Sequence, residues 1–387
     1  MLIAARALLG VAAATLAPST LSLISNMFRD PRQRTVAIGL WVTSYSAGAA
    51  IGPLAGGVLL ERFWWGSVFL ISVPVMALLL AVGPRLLPEY RDPAPGRFDL
   101  PSAALSLLSV LAVIYGVKRI AEGHIGTAAG LSIALGLIVG ATFMRRQRRL
   151  ADPMIDLALF KAPAFGASLA ANGLALFAVF GMDLFIAQYL QLVLGMSPFE
   201  AGLWTLPSAA GFIVGSNLAP VIAARVPTGR VVAGGAAVAA IGLALLTQVE
   251  AESGVALLSA GSVVLAVGAA QMLTLSTDLV VGSAPPERAG SASGMSETGT
   301  ELGGALGIAL LGSIGTAVYR ADSGGQTVGD AVGVIDTATQ AFMHGMQLAA
   351  LAGAVLMVAV AAIASRVLRE RSDAAAQPVA AVVPGAC

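Results

Sequence analysis

Long apolar runs separated by short polar connections dominate the sequence. A helix that crosses the hydrocarbon core of a bilayer needs about 20 apolar residues, whereas the strands of a membrane barrel are about half as long and alternate in polarity. The runs here are continuous in Leu, Val, Ile and Ala, so they predict membrane-spanning helices. The eleven predicted spans are residues 2–27, 35–60, 63–83, 99–120, 127–145, 164–193, 199–224, 229–248, 254–283, 289–318 and 340–366.

Two polar connections divide these spans into groups of three, two and six. Residues 84–101 are rich in Pro and Arg, and residues 145–163 are still more basic. We therefore predict an incomplete N-terminal helical half over 1–83, a linker region with two extra spans over 84–163 and a six-helix C-terminal half over 164–370. A tail over 371–387 follows.

The basic residues predict the orientation. Most of the 22 Arg and Lys residues fall in alternate loops, and such loops face the cytoplasm in membrane proteins. The C-terminus is then cytoplasmic, and the protein is a multi-pass protein of the inner (cytoplasmic) membrane.

Composition excludes several other classes of protein. Hydrophobic residues make up 57% of the chain and charged residues 11%, against about 45–50% and about 25% in soluble proteins. A net charge of +1 provides no basic field for nucleic acid. The single Cys387 and the two histidines, His124 and His344, form no metal-ligand pattern, and no phosphate loop is present. We therefore predict no enzyme activity, no cofactor and no metal.

Small residues at every fourth position in the second span favour close helix packing, and a proline among them bends the helix. The residues concerned are Gly48, Gly52, Pro53, Gly56 and Gly57. This string resembles the antiporter motif of the fifth helix in the major facilitator superfamily.

Other segments extend the resemblance over nearly the whole chain. Arg6 to Gly10 is similar to the fourth-helix motif of that superfamily, where a buried arginine is implicated in proton coupling. The segments 188–207 and 284–304 resemble the fourteen-helix drug:proton antiporter branch. The resemblance implies an all-α major facilitator fold, and acidic residues in the span that begins at residue 289 would recognise cationic substrate. A fourteen-helix member has six, two and six spans, so we expect either a misassigned start or a truncation that removed three helices.

Charged residues within the spans are candidates for function, because a charge at mid-membrane costs about 2.5–3.5 kcal/mol on insertion scales. Glu297 and Glu301 lie about 40° apart around a helix. A carboxyl that takes up a proton near neutral pH can exchange it for a cationic substrate, so we predict proton and substrate contacts for both. A pair at the membrane edge, solvated by headgroups, is the alternative.

Three further charges are candidates. Asp183 is expected to face a cavity on the same stripe as Asn172, although a capped aspartate is possible. Asp278 is placed for gating or for a structural salt bridge, and Arg6 for a buried coupling role.

Aromatic side chains could hold a lipophilic cation, although ordinary packing explains any single one. The candidates are Phe180, Phe185, Tyr189, Trp204 and Phe212.

The sequence therefore predicts proton-coupled efflux of drugs or antiseptics by alternating access. The predicted partners are small drug molecules, protons and the lipid bilayer, with no nucleic acid, and the oligomeric state is left open. Export of one host-made antibiotic or another small solute, and an inactive truncated fragment, remain alternatives.

Overall fold

The computed structural model describes residues 2–86, 99–121, 126–150, 153–155, 157–250, 254–284, 289–323 and 331–368. Within these ranges the regular structure is helical, without a β-strand. The helices are α1 (Leu2–Met27), α2 (Pro31–Arg62), α3 (Ser72–Leu86), α4 (Leu100–Ala121), α5 (Thr127–Gln147), α6 (Pro163–Gln188), α7 (Pro198–Ala223), α8 (Thr228–Leu246), α9 (Gly254–Gly282), α10 (Ala289–Ser323) and α11 (Ala331–Val367).

These helices overlap the eleven predicted spans one for one, so the predicted all-α membrane architecture is confirmed. By length and apolar composition, ten helical segments of the described chain are able to cross a membrane. Helix α10 is the one that does not qualify. It carries Glu297, Glu301 and many Gly, Ser and Thr residues, which lower its hydropathy.

Local capping explains where two of the helices begin. The Asp30 carboxylate accepts hydrogen bonds from the backbone amides of Arg32 and Gln33, both at 3.0 Å, and this starts α2. Ser197 and Glu200 form a reciprocal capping box at the start of α7. Such caps satisfy amide groups that a helix leaves without partners at its first turn.

Helices α6 to α11 form a bundle that holds most of the apolar core. Helix α10 packs on α6 and α11, and α9 lies between α7 and α8. Helix α2 packs along α7 and touches α9, whereas α1 packs mainly on α10. Helix α3 contacts chiefly the short 3₁₀ turn Trp65–Leu70 that precedes it.

A very close approach between described helices is a glycine seam between α6 and α10, formed by Gly173, Gly181, Gly303 and Gly307. A Cβ added at Gly303 would overlap the carbonyl oxygen of Gly173, and one at Gly307 would overlap the carbonyl oxygen of Phe177. The two backbones therefore touch directly. Small residues permit this contact, which supplies the van der Waals packing that holds helices together in lipid.

The antiporter-like glycines of α2 differ in how closely neighbouring helices approach them. A Cβ at Gly57 would come within 3.1 Å of the Phe199 Cα on α7, so this glycine does permit a close approach. At Gly48, Gly52 and Gly56 no described atom outside the helix lies within 4 Å of such a Cβ. A close approach to α7 is thus seen at Gly57, and the predicted role of all four glycines in the antiporter motif stays a prediction.

A polar clamp joins α4 and α5 at one end of their hairpin. Arg146 forms an ion pair with Asp99 (Nη2 to Oδ1, 3.0 Å) and also donates to the Ser102 hydroxyl. Gln147 donates to the same hydroxyl at 2.8 Å and accepts the backbone amide of Ile155 at 3.1 Å. The clamp therefore holds the hairpin and the start of the following linker together.

The linker in turn reaches α10. The Ser291 hydroxyl donates to the Met154 carbonyl at 3.2 Å. Ile155 and Leu159 pack on a small core that includes Phe165 and Ala292. Helices α4 and α5 are thus tied to the helix that carries Glu297 and Glu301.

We predict that Asp99→Asn lowers the melting temperature of the purified protein at neutral pH and reduces the loss of stability in acid. Hydrogen bonds from Arg146 and Ser102 hold the pKa of the Asp99 carboxyl below its usual value. A lowered pKa stabilises the fold above the carboxyl's ordinary pKa, and this contribution is lost as pH falls through the lowered value. Melting curves between pH 7 and pH 2 measure both effects.

Arg149→Gln is the matched control, because Arg149 is an exposed cation two residues beyond α5. It should leave both quantities unchanged. Equal acid sensitivity in Asp99→Asn and the unaltered protein would contradict the assignment.

We predict that Gly303→Ala or Gly307→Ala destabilises the protein by about 1–3 kcal/mol or more, because the added methyl meets backbone that cannot rotate away. Gly294→Ala is the control on the same helix, since a Cβ there meets nothing within 4 Å. Alanine in place of a helical glycine is favourable by roughly 0.5–1 kcal/mol. Thermal unfolding in detergent should rank Gly294→Ala at or above the unaltered protein, and the reverse order would refute the seam.

Candidate functional site

A cavity of about 300 Å³ lies between α2, α6, α7 and α9. Its lining reaches Gln191 and Pro198, where α6 gives way to the loop before α7, so it occupies the predicted outer half. Most of the wall is apolar and much of it is small, including Ala49, Ala201 and Gly202. Apolar concave sites with a few polar groups are typical of small-molecule binding.

Aromatic rings and one carboxylate give the cavity its chemical character. Phe180, Trp204, Phe212 and Tyr45 line it, and Asp183 is the single charged residue among its described lining residues. Aromatic faces attract cations, and a carboxylate in an apolar enclosure adds a negative charge. This arrangement can hold a lipophilic cation.

The two glutamates of α10 lie in different surroundings. Glu297 borders a second, much smaller space of about 10 Å³, together with Tyr45, Thr277 and Thr300. Glu301 borders neither space and is exposed in the described part of the chain. The helical spacing of the pair was predicted, but the separation of their environments was not.

Asn172 lies beside the small space and not in the cavity. Its side chain is fully buried, and Nδ2 donates to Thr277 Oγ1 at 3.2 Å and to Ser296 Oγ at 2.8 Å. The three residues belong to α6, α9 and α10. A buried polar bridge therefore joins these helices below the cavity, and the predicted common stripe of Asn172 and Asp183 does not place both in one site.

Asp278 lies at the opposite end of the helix bundle, which is the predicted cytoplasmic end. Its Oδ1 pairs with Arg34 Nε at 2.8 Å, and its Oδ2 accepts from the Thr35 hydroxyl at 2.8 Å. Both charged side chains are largely buried, at 17% and 13% exposure for Arg34 and Asp278. The pair fastens the start of α2 to the end of α9.

Some predicted site residues lie elsewhere or outside the description. Phe185 packs against Phe342, and the buried Tyr189 donates to the Glu250 carbonyl, so neither ring lines the cavity. The side chains of Arg6 and Pro53 lie outside the described residues, although the helices that carry them are described. No group of three or more His, Cys, Asp or Glu residues in the described ranges could hold a metal.

Sequence reasoning missed Tyr45 and a polar contact between α2 and α7. Asn217 Nδ2 donates to Thr43 Oγ1 at 2.6 Å, and the Thr43 and Ser216 hydroxyls lie 3.1 Å apart. Tyr45 stands one turn before Gly48, and a phenol at mid-span was a signal that could have found it.

Comparison with known proteins gives a consistent result. The sequence profile described as "Major Facilitator Superfamily" matches residues 1–308. The multidrug efflux pump LfrA of Mycolicibacterium smegmatis is 40% identical over 94% of this chain and 77% of its own length. The methyl viologen resistance protein SmvA of Salmonella typhimurium is 32% identical over 93% of this chain and 78% of its own. The multidrug resistance protein Stp of Mycobacterium tuberculosis is 32% identical over 81% and 58%.

We predict that Asp278→Asn or Arg34→Gln lowers the free energy of unfolding by about 2 kcal/mol. Exposed pairs contribute about 0–1 kcal/mol and breaking a buried pair costs about 3–5 kcal/mol, and this pair lies between these limits. Exchanging the two side chains, Arg34→Asp with Asp278→Arg, should restore part of the loss. Chemical unfolding in detergent measures the free energy of unfolding of the unaltered protein, the two single variants and the double exchange.

Arg32→Gln is the control, since Arg32 is an exposed cation on the same turn. A double exchange that is no more stable than the two single variants would show that the pair contributes nothing specific.

Proposed function

This chain belongs to the major facilitator superfamily of multi-pass membrane transporters, and on that premise we propose that it exports lipophilic or cationic drug molecules in exchange for protons across the cytoplasmic membrane. One observation carries the proposal. An aromatic cavity lies at the predicted outer end, and among its described lining residues Asp183 is the single carboxylate, while the Arg34–Asp278 pair fastens the other end. The names of LfrA as a multidrug efflux pump, of SmvA as a methyl viologen resistance protein and of Stp as a multidrug resistance protein support the export of drug molecules.

In this proposal Asp183 contacts the substrate. A cation in the cavity would have the carboxylate as counter-ion and the rings of Phe180, Trp204 and Phe212 as faces. Apolar walls of small side chains allow substrates of different shape, because they impose few directional contacts.

Glu297 and Glu301 carry the protons. A carboxylate that takes up a proton from outside as the substrate leaves, and releases it to the cytoplasm as the next substrate binds, links the two movements. The membrane potential supplies about 2.3 kcal/mol per charge per 100 mV, so a net inward movement of positive charge drives export. Arg6 retains its proposed coupling role on α1.

Alternating access would rock α1–α3 against α6–α11, with residues 84–163 as the connecting region and 371–387 as a cytoplasmic tail. The antiporter-like glycines Gly48, Gly52, Gly56 and Gly57, with Pro53, would shape the α2 surface at this boundary. Asp278 would release Arg34 when the cytoplasmic end opens.

We expect Glu297→Gln and Glu301→Gln to abolish uptake of ethidium driven by a proton gradient in inverted membrane vesicles, while exchange of ethidium without a gradient persists. Asp183→Asn should weaken ethidium binding about tenfold, which corresponds to about 1.4 kcal/mol. Fluorescence of the dye follows both processes.

Glu61→Gln, an exposed carboxylate at the end of α2, is the matched control and should behave as the unaltered chain. If both glutamine variants still couple transport to protons, the assignment to these glutamates is wrong. If the unaltered chain moves no ethidium in response to a gradient, proton-coupled export of lipophilic cations is wrong.

A further inference from the structure

Two residues form the wall between the outer cavity and the small space beside Glu297. Tyr45 and Leu176 line both spaces, and no other described residue does. Leu176 is apolar, so Tyr45 is the residue with a polar group in this shared wall. Tyr45 belongs to α2, whereas Asp183 and Glu297 belong to α6 and α10.

The small space has the size and the lining of a site for a single water. Its volume is about 10 Å³, close to the roughly 10–15 Å³ that one water requires, and a buried water needs two to four polar partners. Four polar side chains border it, from Tyr45, Thr277, Thr300 and Glu297. The remaining lining residues are Trp41, Leu176 and Leu273.

The donors and acceptors that these side chains leave available are those that one bound water can use. Trp41 already donates to Thr20, and Thr300 donates to the Ser296 carbonyl, which leaves the Thr300 oxygen as an acceptor. Thr277 accepts from Asn172, so its own proton is available. A water here can accept from Thr277 and from Tyr45 while it donates to Glu297 and to Thr300.

We propose that Tyr45 and one water in this space form the route by which a proton passes from the outer cavity to Glu297. The Tyr45 oxygen accepts a proton from water in the cavity as its own O–H bond to the inner proton breaks. The inner water takes the proton that leaves Tyr45 and gives one of its own protons to a Glu297 carboxylate oxygen. One proton has then moved, Tyr45 and the water are neutral again, and the cavity solvent has lost one proton.

The inference rests on the proposed function, because it assigns a path to the proton of that exchange. The titratable groups that border the two spaces are Asp183 from α6, Glu297 from α10 and Tyr45 itself. Glu301 lies one turn further along α10. Among the described residues, α7 and α9 place no titratable group on either space.

The test compares Tyr45→Phe, which removes the hydroxyl and keeps the ring, with the unaltered chain in lipid vesicles. We expect gradient-driven ethidium transport to fall about tenfold and ethidium affinity to change by less than about twofold. Thr277→Val, which removes one partner of the water, should lower the same rate. In D₂O the unaltered chain should slow about twofold, because O–H bonds break along the route, and Tyr45→Phe should lose this isotope effect.

Tyr115→Phe is the matched control, since Tyr115 is an exposed tyrosine on α4 away from both spaces. It should keep the full rate and the isotope effect. Gradient-driven transport in Tyr45→Phe equal to that of the unaltered chain overturns the route alone. Loss of ethidium binding in Tyr45→Phe also overturns it, because Tyr45 is then a substrate contact. An unaltered chain without gradient-driven transport overturns the proposed function and the route together.

Discussion

Direct backbone contact between α6 and α10 is the constraint on which the rest of the structure depends. In lipid, packed apolar side chains gain little over contact with acyl chains, so helices associate through close packing and polar contacts. The seam of Gly173, Gly181, Gly303 and Gly307 provides the first. The Asn172 bridge to Ser296 provides the second in the same pair of helices.

The small and polar residues of α10 lower its hydropathy. Helix α10 is rich in Gly, Ser and Thr and carries two glutamates, so its composition alone does not qualify it as a span. It is held among α6, α9, α11, α1 and α4. Residues that would be costly toward lipid are tolerable in a helix with neighbours on several sides.

Much of the architecture could be predicted from the sequence, because apolar runs report directly on helices in a bilayer. Helices α4 and α5 are present as predicted, and their assignment as two extra spans between polar linkers stays a prediction. The candidate site was harder to predict from the sequence, since it depends on which helices pack against one another. Asp183 was singled out by its charge, but the role of Tyr45 as a wall between two spaces follows only when α2 is placed against α6, α7 and α9. Phe185 and Tyr189 were predicted as candidates for the site but lie outside the cavity lining. Nothing in the sequence distinguishes an aromatic ring that lines a cavity from one that is packed in the core.

The glycine seam also has a consequence for how the two acidic sites communicate. Asp183 and Glu297 stand on helices whose backbones touch, so the two carboxylates travel as one rigid body in the proposed cycle. Their mutual distance then changes little in the proposed cycle, whereas their electrostatic interaction varies with the water that reaches each site. Thermodynamic linkage requires that occupancy at one site changes affinity at the other by the same factor in both directions. In the proposed cycle the spacing of the two sites is a property of the bundle, and the conformational change alters the solvent to which each site is open.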